Sequence, residues 1–300
     1  MSTGSQDIAE PREHHLRGDL MELTRVRLNF MVVLTTGIGF LLAVDTSPFP
    51  LALFAWAVVG TALVAAGSSA LNQVMEREGD SRMPRTADRP LPTGRMTSGT
   101  AFVIGSGLSL LGLGMLAWQV NLLTCVLALG TLLSYLFLYT PLKRRSSLAT
   151  IIGAVPGAIP PMMGWTAVRG TIDLGAWALF GILFFWQLPH FLAIAWVYRD
   201  DYERGGMPML TVVDREGFIT ARQMILYCAV LIPVSLLTTV AGVTGVLYLI
   251  AAILLGLAYL WPCFTFAKYR DVPHAKRLMI ASVLYLPALL GAMLIDRLLL

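Results

Sequence analysis

The sequence predicts an all-α polytopic membrane protein of nine transmembrane helices, with its N-terminus cytoplasmic and its C-terminus outside. Composition, the length of the apolar runs and the sidedness of positive charge each point that way. Of 300 residues, 56% are hydrophobic and 13% charged, with a mean hydropathy of +0.71. Soluble domains carry about 25% charged residues, because water must meet a polar surface. Most of this chain's surface is therefore matched to lipid.

Nine apolar runs follow in order, at about 28–44, 51–71, 99–117, 122–139, 148–168, 174–196, 224–240, 246–266 and 279–296. Several approach the roughly 20 residues that cross a hydrocarbon core. None alternates as a barrel strand would, so the backbone groups are expected to pair within helices. Threaded in this order, 20 of the 22 lysines and arginines fall on one side and only Arg169 and Arg297 on the other. The positive-inside rule then sets the orientation and supports an odd number of spans.

The runs between the spans are unequal. Residues 1–22 hold Asp7, Glu10, Glu13, Asp19 and Glu22 and no apolar stretch. They read as a flexible cytoplasmic tail and not as a signal peptide, with a single domain over 23–300. The location expected is the cell inner (plasma) membrane, multi-pass. Cys125, Cys228 and Cys263 sit in apolar stretches without metal or redox spacing and read as packing residues. The basic residues follow topology, so no nucleic-acid partner is expected. Two cytoplasmic loops, 73–98 and 198–223, are 26 residues each and carry both signs of charge. Each follows the second helix of a hairpin, a weak internal duplication spaced by about 125 residues. Together they suggest one shared site.

Asn72, Glu76 and Asp80 recur every four residues where the second span ends. On a continued helix they occupy an arc of roughly 80° and cover roughly 12 Å, too far for one ion to touch all three. Oxygen donors without His or Cys suit Mg²⁺, which keeps waters and takes substrate phosphates. A charged helix end in interfacial water is the bland alternative. Arg82, Arg85, Arg89 and Arg95 follow among Pro84, Pro90, Pro92 and Gly94. Prolines confine that loop, and guanidinium forks match diphosphate oxygens. The second loop offers Asp200, Asp201 and Glu203; the two aspartates point about 100° apart, so one of them is expected to face a cleft. Tyr139 and the Lys143, Arg144, Arg145 cluster lie on the same side after the fourth span.

These residues resemble the intramembrane prenyltransferases of the UbiA type. The likeness rests on the Asn72/Glu76/Asp80 stripe followed by Arg85-Thr and Arg89-Pro. Four longer strings are similar to the haem-farnesylating branch of that superfamily: Asn72-Gln-Val-Met-Glu-Arg, Met83-Pro-Arg-Thr, Trp186-Gln-Leu-Pro-His190-Phe and Gly206-Met-Pro-Met-Leu210. Leu23-Thr-Arg-Val-Arg27 also fits and makes Arg27 a candidate. The likeness covers about residues 20–298. It implies nine helices around a central cavity open sideways to lipid. The implied reaction transfers the farnesyl group of farnesyl diphosphate to a vinyl group of protohaem IX, with addition of water, giving haem O and diphosphate. Two departures stand out: Glu76 replaces the usual middle aspartate of the first motif, and Val197 leaves Asp201 without an aspartate four residues earlier. Asp200 or Glu203 is left to complete the second motif.

On this reading Asn72, Glu76, Asp80, Asp200 and Asp201 hold Mg²⁺. Arg85, Arg89, Lys143 and Arg144 hold the diphosphate as its charge grows. His190, inside the sixth span beside Pro189, is a candidate for orienting or ligating haem, with Gln187 assisting from three residues away. His190 and Tyr139 are candidate partners of the added water. A haem-modifying oxidase downstream is the implied partner. Two other readings stay open. One is prenylation of a quinone precursor or another aromatic acceptor. The other is a transporter or haem-binding membrane protein, for which Pro156, Gly157, Pro160 and Pro161 would mark a broken helix.

Overall fold

The computed structural model describes residues 16–45 and 47–299. Among them are nine helices long and apolar enough to cross a membrane, linked by short helices and turns. A short α1 (Leu16–Leu23) leads into α2 (Val26–Ala43), α3 (Leu51–Asp80) and α4 (Ser98–Met115), which is prolonged by a π-helical turn over Leu116–Val120. Next come α5 (Leu122–Leu133), a second π-helical turn (Ser134–Tyr139), a single turn α6 (Thr140–Leu142), α7 (Ala149–Arg169) and α8 (Leu174–Val197). Two short helices, α9 (Arg199–Arg204) and α10 (Leu210–Val213), precede α11 (Phe218–Val240), α12 (Val246–Tyr269) and α13 (Val272–Leu299).

The length of α3 positions the site. Its 30 residues span about 45 Å at 1.5 Å each, more than the roughly 30 Å of hydrocarbon. One end must therefore project, and the acidic stripe rides on that unbroken end. Local signals fix the neighbouring boundaries. Thr97 Oγ1 accepts from Thr100 N at 3.1 Å to start α4. Asn121 Oδ1 accepts from Thr124 N at 2.8 Å to start α5.

Helices α7 and α8 form the centre, with 61% and 56% of their spans enclosed, against 22% for the span that begins at Leu122. Internal Pro156, Pro160 and Pro161 in α7 and Pro189 in α8 are tolerated there because neighbouring helices, not lipid, surround the freed backbone groups. Helix α2 lies directly on α7. A Cβ on Gly39 would overlap the Pro161 carbonyl, and one on Gly164 would overlap the Thr36 carbonyl, so this crossing admits only hydrogen at both positions. The second half is solid: α8, α11, α12 and α13 close around Leu179, Tyr248, Tyr259 and Phe266. The first half is hollow.

At the end of the bundle away from Asp80, Asp45 receives both Arg169 and Arg297. The two arginines that the charge pattern set apart thus share one carboxylate. The three cysteines are free, and the buried Cys228 and Cys263 pack together at 3.3 Å between sulfurs, as packing residues do.

Of the tail read over 1–22, residues 1–15 lie outside the described residues. Residues 16–22 belong to α1, and Gln73 Nε2 donates to the carbonyls of Glu22 and Leu23 at 2.9 Å. Arg95 Nε also donates to the buried Asp19 at 2.9 Å. These ties order a segment that its polarity alone would leave free.

Candidate active site at the charged mouth of the cavity

A cavity of about 350 Å³ lies between α2, α3, α5, α7 and α8. Leu28 and Phe191 line it and are also exposed, so it opens sideways. Val64, Ala128, Leu132, Pro160 and Met163 make its deep wall apolar. Arg25, Arg85, Tyr135, Tyr139 and Tyr202 make its mouth polar and cationic.

The acidic stripe stands beside that mouth. Asn72, Glu76 and Asp80 are 1%, 3% and 1% exposed, which excludes a simple solvated helix end. Asn72 Nδ2 donates to Thr140 Oγ1 at 2.9 Å, while its Oδ1 is buried without a donor. Lys143 Nζ donates to Glu76 Oε1 at 3.3 Å. Burial by itself would lower the Lys143 pKa, yet Tyr139 and Glu76 beside it carry it above the ordinary lysine value. Lys143 is therefore a fixed positive charge. Arg89 Nη1 donates to Asp80 Oδ2 at 2.6 Å, and Thr86 Oγ1 donates to the Asp80 carbonyl at 2.9 Å. The loop thus folds back on the helix that carries the stripe.

Arg25, and not Arg27, enters the site. Arg27 is exposed. Arg25 sits between α1 and α2 in the left-handed region, φ 46° and ψ 50°, a conformation that a long side chain rarely adopts. This bend turns it onto the cavity, where Nη1 donates to Tyr135 Oη at 3.4 Å and Nε is buried without a partner. The π-helical turn at 134–139 brings Tyr135 and Tyr139 to the same wall, stacked at 5.4 Å. Tyr139 lies over Gly153, where a Cβ would come within 2.5 Å of its ring. Arg85 stands over the rings of Tyr198 and Tyr202 at 5.0 and 5.6 Å and reaches Tyr202 Oη at 3.5 Å. Arg144 is exposed, its guanidinium set over Gly79 at the edge of the stripe.

The two charged loops meet, but not through their carboxylates. Met83 of the first packs with Tyr202, Met207 and Met209 of the second. Asp200 and Glu203 are exposed. Asp201 pairs with Arg204 and Glu203 with Arg215, so these two acids are taken up by arginines of their own loop. Among the described residues no three His, Cys, Asp or Glu side chains are grouped to hold a metal ion. The five-residue ligand set expected from the sequence is thus not gathered. Asn72 Oδ1 and the Glu76 carboxylate, one helical turn apart, remain as a buried oxygen pair that suits a hard cation.

His190 and Gln187 part company. Gln187 lines the cavity and His190 does not. His190 faces α13, with Nδ1 2.6 Å from Ser282 Oγ and its ring stacked on Trp186 at 5.3 Å. Their three-residue spacing does not put them on one wall, because the cavity edge falls between them. Sequence reasoning also missed Tyr135, Thr140 and Tyr202. Only the Leu23–Arg27 string pointed toward Arg25.

The UbiA prenyltransferase family model matches residues 32–285. The chain is similar to the protoheme IX farnesyltransferase of Solibacter usitatus, 45% identical over 93% of this chain and 98% of that protein. Its likeness to the enzyme of the same name from Koribacter versatilis is 44% over 99% of both. In fold it is similar to a structure described for digeranylgeranylglyceryl phosphate synthase, with a TM-score of 0.80 and 16% identity over 94% of this chain and 98% of that one. A UbiA homolog from Archaeoglobus fulgidus, bound to GPP and Mg²⁺, matches with a TM-score of 0.64 and 15% identity over 92% and 99%. By the family match over residues 32–285 and by relatives 44–45% identical along nearly all of its length, this chain belongs to the UbiA prenyltransferase family.

Proposed function

We propose that the protein transfers the farnesyl group of farnesyl diphosphate to a vinyl group of protohaem IX, adding water, to give haem O and diphosphate. The observation that carries this is the cavity itself: a mouth of fixed cations and buried oxygens opening onto an apolar interior. Such a site favours a reaction in which negative charge grows at one end while a carbocation is shielded from solvent at the other. The near-full-length relatives supply the identity of donor and acceptor.

Arg25, Arg85 and Lys143 would take the diphosphate oxygens as the C–O bond ionises, with Arg89 and Arg144 completing the charge around them. Asn72 and Glu76 would hold Mg²⁺, which supplies further neutralisation of the leaving group. Asp80, held by Arg89, positions the loop. Asp201 would reach the metal only by giving up its pairing with Arg204, and Asp200 only by turning inward from its exposed position. Tyr135, Tyr139 and the apolar wall limit the access of water to the allylic carbon. The same charge bias supports a cytoplasmic mouth and N-terminus and an outer C-terminus, and the reading takes one domain over 23–300 resident in the inner plasma membrane. The product would pass to a haem-modifying oxidase.

The test is to incubate the protein in membranes with protohaem, farnesyl diphosphate and Mg²⁺ and to weigh the extracted haem. A hydroxyethylfarnesyl haem that disappears on adding EDTA supports the reading. Diphosphate released only with an aromatic acceptor would redirect it, and none released with any acceptor would end it.

A further inference from the structure

The reaction proposed above needs one water at the acceptor side of the cavity and none at the allylic carbon before the new bond forms. Tyr139 is poorly placed to supply it, since it is at the mouth beside Lys143 and stacked on Tyr135. Water held there would meet the ionising carbon first. His190 lies outside the cavity and is bonded to Ser282.

Gln187 is better placed. It is 3% exposed and lines the cavity. Its Nε2 donates to the Ala154 carbonyl at 2.7 Å, which fixes the other end of the amide, Oε1, toward Gly157. Helix α7 is unusual just here. Pro156, Pro160 and Pro161 have no N–H, so the carbonyls of Ile152, Pro156 and Gly157 lose the partners that a helix would give them. Pro156, Gly157 and Pro160 also line the cavity. The α7 wall at this level therefore offers freed carbonyl acceptors. Gly157 lies one turn, about 6 Å, beyond the Gly153 that seats Tyr139.

We propose that Gln187 Oε1, together with one of the two freed carbonyls of Pro156 and Gly157, holds the water that captures the acceptor-side cation. The inference rests on the haem-farnesylating reading. A water that donates both hydrogens to this wall turns its lone pairs toward the cavity. The bookkeeping of the step closes as follows. The C–O bond breaks and its electron pair leaves on diphosphate. The vinyl π pair forms the new C–C bond and leaves an electron-deficient carbon next to the porphyrin. A lone pair of the held water forms the C–O bond, and the proton it sheds ends on the released diphosphate. Without the water, that carbon loses a proton from the neighbouring methylene and gives an alkene one water lighter.

The experiment measures the ratio of alkene to alcohol among farnesylated haems by mass, with diphosphate release followed in parallel. Gln187→Leu is expected to raise that ratio about tenfold, the worth of one hydrogen bond. Gly157→Ala, whose Cβ would displace Oε1, is expected to raise it too and guards against a folding defect in the first variant. Gln187→Glu is expected to restore the alcohol, since a neutral carboxyl donates to Ala154 and still presents a carbonyl. Alcohol at the wild-type ratio in both Gln187→Leu and Gly157→Ala overturns the inference while leaving the farnesylation reading intact. Loss of diphosphate release in folded Gln187→Leu also overturns it, by moving Gln187 to an earlier step. A wild type that farnesylates no haem removes the reading and the inference together.

Discussion

The charged segments at the end of α3 and just after α8 carry similar charges and meet different fates. In the first, Glu76 and Asp80 are almost wholly buried, and Lys143 reaches Glu76 from the segment after α5. In the second, Asp201 pairs with Arg204 three residues on, and Asp200 and Glu203 face outward. Burial makes the difference. An exposed pair contributes about 0–1 kcal/mol, whereas removing one partner of a buried pair costs about 3–5 kcal/mol because the other is left unpaired. Similar letters therefore make a site in one segment and a surface in the other.

The largest expected effect follows from Glu76. Glu76→Ala strands Lys143 and takes a candidate cation ligand, so turnover is expected to fall about 10²- to 10³-fold. Thermal melting in detergent should drop as well. A variant with normal turnover would remove the first segment from the chemistry. The pairing itself should not titrate near neutrality. A lysine raised on folding contributes stability below its ordinary value of 10.5 that is lost only as pH rises through the still higher folded value. The melting difference between wild type and Lys143→Met is thus expected to be flat from pH 6 to pH 9.

Next comes the contrast between two neighbouring arginines. Arg25→Ala is expected to cost about 10²-fold in turnover, and Arg27→Ala less than about twofold, since exposed substitutions are nearly neutral. Equal effects would mean that the left-handed bend at Arg25 does not select the residue that meets substrate. In the second loop, Glu203→Ala is expected to change melting by less than about 0.5 kcal/mol equivalent and turnover by less than about twofold. Asp201→Asn sharpens the comparison: a loss as large as that from Glu76→Ala would show that the loop leaves its local pairings when substrate binds. The smallest effect concerns His190. His190→Ala loses a bond to Ser282 worth about 1 kcal/mol and is expected to leave the haem absorption band in place. Loss of that band would put the acceptor on the α13 side and not in the cavity.

Much of this was legible because hydrophobic periodicity and charge sidedness are local properties. Nine apolar runs became nine long helices among the described residues, and the 72/76/80 spacing lay on one helix because nothing between them breaks it. Other features were not legible for definite reasons. Arg25 and Arg27 are equivalent in composition and separated only by a backbone bend. Gln187 and His190 fall on opposite sides of a cavity edge that α2, α7 and α13 create. Asp201 and Glu203 look like ligands until their arginines are seen, and Asp200 until its outward exposure is.

The sequence by itself determined the lipid-matched bundle, the projecting charged end of α3 and the family, since each depends on residue type and spacing along one chain. The tertiary structure alone decided which charges are buried. It also decided which arginine reaches the mouth and where the proline-freed carbonyls of α7 meet Gln187. Those depend on side chains distant in sequence sharing one low-dielectric space, where an unpaired charge or carbonyl is costly enough to fix the arrangement.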